Sequence, residues 1–346
     1  MRVVIPLLRF GRSGGERVIS KLATGLINEG HDVIFVVPNG SGQPYYETDA
    51  KIVTYESSKA KSKLFRWFFN CLAMLACCKS INPNVVIATY HQVAYIAFML
   101  PSNIKKFYYI QAYEVNFYNS LIKKTIAAVT YILPLKKIVN SDLILPRPFN
   151  NYISCIPAGI DYDLFYRART NELGKVGKIN IGLIGRAEKY KGTLDSLDAI
   201  FEYINSNDLD EEIIVNVAIH VPSEYRNKGI IYHEINNDKE LANFYKSNDI
   251  VVAVGLVEFG AFHYPCAEAM TSGCLTISNY APLTNTNSSL KILGFSKELI
   301  IEKLSSAISS VKENTHLCEI KRNQNVMAEY SWGNICRNFN SSINGF

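Results

Sequence analysis

Short apolar runs alternate with amphipathic stretches along most of this chain. Residues 2–8 form an apolar run that predicts a strand. The stretch after it, FGRSGGERVISKLATGLINEG, carries Val18, Leu22, Ala23 and Leu26 at helical spacing behind a turn of Ser13, Gly14 and Gly15. Gly30 is placed to cap that helix, and 31–37 reads as the next strand. Strands at 85–89 and 106–110 continue the alternation, and another short one is expected at 142–145. After CIPAGID, where Pro157 and Gly159 interrupt regular structure, the pattern restarts. Strands are predicted at 179–184, 213–219, 229–233, 250–254 and 275–278, with helices after Gly192, at 238–247, from 266, and in the tail from 298. Strands alternating with helices predict an α/β chain of parallel, doubly wound sheets.

The chain has 346 residues, enough for two domains of about 170 each. With 48% hydrophobic and 19% charged residues it is globular and not disordered. The apolar runs at 93–100 and 125–135 fall short of the about 20 residues that a bilayer span needs. The start, MRVVIPLLRF, reads as a strand and not a signal peptide, so the expected location is the cytoplasm. Eight cysteines without paired-ligand spacing fit that compartment and predict no metal site.

Charge is unevenly shared. Residues 1–160 hold 18 Lys and Arg against 8 Asp and Glu, whereas 161–346 hold 18 against 23. One half is therefore expected to face something anionic. No nucleic-acid-binding motif accompanies the cations, and a nucleic-acid partner is not expected. Lys59, Lys61, Lys63 and Arg66 instead precede Trp67, Phe68, Phe69, Leu72, Met74 and Leu75. That composition suits either a helix lying on an anionic membrane surface or a core helix with a solvated basic end.

Candidate chemistry gathers at three strand ends. The stretch GLVEFGAFHYPCAEAMTSGC runs from a strand through a loop into a helix start, and a helix N-terminus attracts phosphate. Gly260, Ala261 and Phe262 would line that seat, and Glu268 would stand one to two turns further in, within reach of ribose hydroxyls; an ordinary crossover without ligand gives the same pattern. In GLIGRAEKYKG, Gly185 turns the chain while Arg186 and Lys191 put two cations beside a helix start, which suits a diphosphate. QAYEVNFYNS places Glu114 at a strand end, as an acid, a base, a substrate contact or simply a solvated loop carboxylate. The Gly14–Gly15 turn follows the first strand, but GxGxxG is absent and no acidic residue closes the second strand, so NAD is disfavoured.

Four blocks in order, GGERVISKLATGLINEGHDV, IPAGIDYDLF, GLIGRAEKYKG and the EAMTSG block with YSWGNI, resemble the GT-B glycosyltransferases of family 4. QAYEVNFY further resembles bacterial rhamnosyltransferases that build surface polysaccharide. The resemblance implies two Rossmann-like domains facing each other across a cleft: 1–157 for the acceptor, 158–328 for the nucleotide sugar, and a C-terminal helix at 329–346 crossing back. It implies metal-independent, retaining transfer from a nucleotide-diphosphate sugar to a glycan or lipid-linked oligosaccharide acceptor, at the inner face of the membrane and with no further cofactor. Arg186 and Lys191 would hold the diphosphate, with Glu114 as a third catalytic candidate. Gly14, Gly15, Gly185, Gly260, Ala261, Phe262, His263, Tyr264 and Glu268 would contact the donor, and Gln111, Tyr113, Phe117 and Tyr118 the acceptor.

Two departures stand out. The family's first glutamate falls at Gly260, with Glu258 two residues too early, and the subset's Asp after Gln is Ala112. They leave open an inactive binding subunit; the other alternative, a sugar-nucleotide epimerase on the same fold, would need further acid and base residues around the donor.

Overall fold

A computed structural model describes residues 1–168, 177–207, 209–256 and 262–345. The chain divides into two compact units, Met1–Gly159 with Trp332–Phe346, and Ile160–Ser331.

In the first unit seven parallel strands run β1 (Arg2–Pro6), β2 (Asp32–Pro38), β3 (Lys51–Tyr55), β4 (Val85–Ala88), β5 (Lys105–Ile110), β6 (Lys136–Val139) and β7 (Ser154–Cys155). Their spatial order is β3-β2-β1-β4-β5-β6-β7. The order reverses between β1 and β4, and ligands of doubly wound sheets bind at the carboxyl ends of strands flanking such a point. One side of the sheet packs on α2 (Lys63–Ile81) and α3 (His91–Met99) through Val4, Val36, Val86, Tyr108, Met74, Cys78 and Val93. The stripe predicted for α1 (Gly14–Asn28) is buried at all four positions. Against α1 lies the C-terminal helix: a Cβ on Gly25 would come within 2.1 Å of the Cys336 sulfur, so the two helices touch where a side chain is missing. Between β5 and β6 the chain makes a 3-10 turn over Glu114–Phe117 and then α4 (Leu121–Val129).

The strand expected at 142–145 is not there; those residues form a turn, and the strand is β6, which opens with two lysines. Lys137 is nevertheless 5% exposed, because its ammonium finds the carbonyls of Tyr131 and Phe149 and the side chain of Asn151. A buried cation with three oxygen partners gives the sequence no apolar signature. The basic aromatic segment is a core helix in its second half only. Only Met74 and Cys78 of α2 are buried, and every residue from Lys61 to Phe69 is exposed. By length and composition α2 would suffice to cross a membrane, yet its second half packs on the sheet.

The second unit opens with a short helix, α5 (Tyr162–Phe165), and builds a five-stranded parallel sheet from β8 (Lys178–Ile184), β9 (Glu212–Ala218), β10 (Ile231–His233), β11 (Ile250–Ala253) and β12 (Leu275–Ser278). The order is β10-β9-β8-β11-β12, with its reversal between β8 and β11. α6 (Thr193–Ser206) and α9 (Lys297–Lys312) cover one face through Leu197, Ile200, Leu304 and Ile308. α7 (Asp238–Ser247) and α8 (Tyr264–Thr271) cover the other through Phe244, Tyr245, Ala267 and Met270, and α10 (Leu317–Glu329) adds Met327. Gly273 ends α8 with φ +74°, as a left-handed terminus requires. α11 (Trp332–Asn344) returns the chain to the first unit.

Candidate functional site

In the second unit the polar groups converge at the carboxyl ends of β8 and β11, on either side of the strand reversal. Gly185 leaves β8 so close to the next loop that a Cβ there would lie 1.8 Å from the His220 carbonyl oxygen. No larger residue fits without moving backbone. Arg186 follows, exposed, and its N–H donates to Thr193 Oγ1 at 2.8 Å, which ties the start of α6 to the arginine's own backbone. Lys191 lies over the Tyr190 ring, 5.0 Å from its centre. Gly192 takes φ +71° and brings the β8 loop against Val254 and Gly255 at the end of β11. Leu256 N–H then donates to the Tyr190 carbonyl at 2.9 Å, so the two loops are joined.

His263 stands at the N-cap of α8 and stacks on Tyr280, with ring centres 4.0 Å apart. Burial, then Lys191, then Arg186 push its pKa down to about 3. The imidazole is thus neutral at working pH, and both cations act on one ring. Its Nδ1 is buried and has no hydrogen-bond partner among the described residues. The backbone N–H of His263 donates to the Ala281 carbonyl, and Pro265 in the first turn of α8 has no N–H to offer. Phe262 bridges to Ala281 and stacks on Tyr330. Glu268 is only 2% exposed. Its neighbour Tyr245, fully buried, has its phenol pKa raised well above the ordinary value by burial and then by Glu268, while Arg186 acts in the opposite sense. Gly260, Ala261 and Glu258 lie outside the described residues.

Beside this cluster a pocket of about 360 Å³ is lined by Ile219, His220, Val221, Arg226, Ile230 and Tyr232. Ile219 holds φ +75°, a left-handed conformation that a β-branched residue adopts only under constraint from its surroundings. Its N–H donates to the His233 carbonyl at 3.1 Å, and the next residue is the His220 that meets Gly185. Pattern analysis found the glycine and the two cations but missed Thr193, Tyr280 and the strained Ile219. A threonine directly after Gly192, at the first position of a helix, was the one available signal.

The first unit has its own cluster beside the reversal between β1 and β4. The turn before α1 is closed by a reciprocal cap: Glu16 N–H donates to Ser13 Oγ while the Glu16 carboxylate accepts from Ser13 N–H at 2.9 Å. That carboxylate occupies the positive end of α1, where an anion would otherwise sit. Gly14 and Gly15 therefore offer close backbone approach at a helix start whose cap is supplied by Ser13 and Glu16. Gln111 Nε2 donates to the Gly15 carbonyl at 3.3 Å, bringing together one residue expected at the donor and one expected at the acceptor.

Glu114 corrects the solvated-loop reading. It is 2% exposed, and its carboxylate accepts from His91 N–H at 2.6 Å, His91 Nδ1 at 2.8 Å and Tyr108 O–H at 2.9 Å. With these bonds the carboxylate holds His91 and Tyr108 in place. His91, which the sequence reading did not single out, turns its Nε2 toward the Tyr118 hydroxyl at 3.3 Å, and Tyr118 shares a 2.6 Å hydrogen bond with Tyr90. Tyr113 stacks on Tyr131, whereas Phe117 is 56% exposed.

No protein-family profile matches the sequence, and no curated protein does. Solved structures do. Sucrose-phosphate synthase from Thermosynechococcus elongatus matches with a TM-score of 0.75 and 14% identity, over 99% of this chain and 98% of that one. WaaG, a glycosyltransferase involved in lipopolysaccharide biosynthesis, matches with 0.66 and 14%, over 99% and 100%. Anabaena HepE, solved in complex with UDP-glucose, matches with 0.70 and 10%, over 100% of both chains. Two parallel sheets of seven and five strands with these neighbours give the chain the GT-B glycosyltransferase fold.

Proposed function

We propose that the protein is a glycosyltransferase that moves a sugar from a nucleotide-diphosphate donor to a glycan. The observation that carries this reading is the second unit's strand reversal, where Arg186 and Lys191 act together beside the start of α8. Two cations beside a helix start suit a diphosphate. The adjoining pocket of about 360 Å³, with its strained Ile219, is the proposed seat of the nucleobase. Glu268 would take the ribose, and His263 and Tyr264 would border the phosphates. HepE was solved with UDP-glucose, which supports a uridine or related nucleotide here.

Chemically, the arrangement serves the leaving group. Negative charge grows on the β-phosphate as the glycosidic bond breaks, and Arg186, Lys191 and the positive end of α8 would meet it. One preorganised donor of that kind contributes roughly 3 kcal/mol to the transition state. A neutral His263 can donate or accept one hydrogen bond there without adding charge. The first unit would seat the acceptor along Gln111, Tyr113, Phe117 and Tyr118, with Glu114 holding His91. The finer assignment is a family 4, retaining and metal-independent enzyme resembling the rhamnosyltransferases, acting on a lipid-linked surface glycan in the cytoplasm at the inner face of the membrane.

The test is thermal unfolding with a panel of nucleoside diphosphates and nucleotide sugars. A ligand at about 100 times its Kd adds about 2.7 kcal/mol of stability. The parent should respond selectively to one nucleotide, and Arg186→Ala and Lys191→Ala should keep the parent's unliganded melting point but lose most of the response. An unchanged response in both variants would refute the diphosphate site, and no response in the parent would favour an inactive binding subunit.

A further inference from the structure

We infer that the first unit docks on an anionic phospholipid surface through the N-terminal turns of α2 and α4. Nine consecutive residues, Lys61 to Phe69, are exposed, among them Leu64 at 71%, Phe65 at 60% and Trp67 at 46%. Apolar side chains all round these two helical turns face solvent, with Phe65 and Phe68 each packed on Phe69 of the same helix. α4 repeats the arrangement with Leu121 at 79% and Ile122 at 74% exposed, beside Lys123 and Lys124. α3 lies between the two helices, its Tyr95 hydroxyl donating to the Ile126 carbonyl of α4. In strand-helix-strand units each helix runs back against its strand, so both apolar ends stand at the carboxyl edge of the sheet. Phe117, placed along the acceptor in the reading above, adjoins the same edge.

Charge selects the occupant. From Ser57 to Ser141 the chain has eleven Lys and Arg and a single acidic residue, Glu114. That one is buried against His91. The surface of this segment is therefore free of carboxylates, with Lys59, Lys61, Lys63 and Arg66 next to the exposed aromatics. A second copy of the chain would set cation against cation across a two-fold interface. An anionic bilayer meets both parts of the patch, its headgroups facing the cations and its acyl boundary the aromatic and aliphatic ends. Because Met74 and Cys78 hold the second half of α2 to the sheet, the helix leans into the membrane surface and does not cross it. The inference rests on the transferase reading for its purpose, the delivery of a lipid-linked acceptor, but not for its evidence.

The experiment is co-sedimentation of the full chain, without donor or acceptor, with vesicles of phosphatidylcholine alone and of phosphatidylcholine with phosphatidylglycerol. Binding to the anionic vesicles that weakens with salt is expected. Reversing Lys59, Lys61 and Lys63 to Glu should weaken it roughly a hundredfold. In a Trp332→Phe background Trp67 is the remaining tryptophan, and its emission should shift to the blue with anionic vesicles only. Trp67→Ala with Phe68→Ala should lose binding while the fold and any nucleotide response persist. No sedimentation with anionic vesicles, equal binding to both vesicle types, or a dimer that the same substitutions dissociate would overturn the inference. Loss of vesicle binding with an intact nucleotide response would leave the transferase reading standing, and the converse would leave the docking surface standing.

Discussion

Glu114 offers the sharpest test of what the fold adds to the sequence, because a direct catalytic carboxylate and a structural one respond differently to the same two substitutions. In the structure the carboxylate accepts three hydrogen bonds, from His91 N–H, His91 Nδ1 and Tyr108 O–H, at 2.6, 2.8 and 2.9 Å. Glu114→Ala would leave three donors without an acceptor in a site that is 2% exposed. A buried donor left unpaired costs about 1–3 kcal/mol. Some of the three will find water in the vacated volume, so a loss of about 3–5 kcal/mol is expected for the set. For a domain of this size that corresponds to a fall in Tm of about 10 °C. Glu114→Gln keeps one acceptor oxygen and should cost less than half as much. The assay is thermal and urea unfolding of both variants, followed by turnover on a nucleotide sugar identified by the binding panel. The positioning role predicts that stability and activity fall together and in the order parent, Gln, Ala. An Ala variant that melts within about 2 °C of the parent yet loses activity by more than about a thousandfold would refute the argument. It would return Glu114 to the role of a group that touches substrate.

Two further predictions concern the second unit. Gly185→Ala drives a Cβ toward the His220 carbonyl, so it should destabilise by about 2 kcal/mol or more in urea unfolding and weaken nucleotide binding through Ile219; a variant of parental stability would show that the loop is looser than described. His263 has a folded pKa of about 3 against an ordinary 6.5, so the unfolded chain binds the extra proton between those values. Stability is then fully present above pH 6.5 and lost as the pH falls toward 3, and His263→Gln should remove about 1–2 kcal/mol of the decline between pH 7 and 5; parallel profiles for parent and variant would contradict the burial of the ring.

Much of the fold was readable as periodicity. The α1 stripe of Val18, Leu22, Ala23 and Leu26 points inward as spaced, and β12 and α7 begin and end where the pattern placed them. Periodicity reports which side of an element is apolar, and it fails where a polar residue is buried with partners distant in sequence. Lys137 made β6 look like surface because its oxygen partners come from the two loops flanking that strand. Glu114 looked solvated because His91 lies 23 residues away. At the candidate site, the glycines and cations were legible because turn geometry and charge are properties of single residues. The stacking of His263 on Tyr280 and the left-handed Ile219 depend on how two loops close on each other, which no local pattern encodes.

The helix at 332–344 belongs to the unit that begins the chain, and Gly25 is the notch that receives Cys336. A growing chain emerges from the ribosome in order, so residues 1–159 must wait through the synthesis of 160–331 before α11 arrives. Throughout that interval the side of α1 that receives α11 at Gly25 stays open, while the second unit can complete its core without any later residue. During synthesis the later unit thus reaches its finished state first, and the earlier one is exposed to chaperones and to misassociation until its closing helix is made.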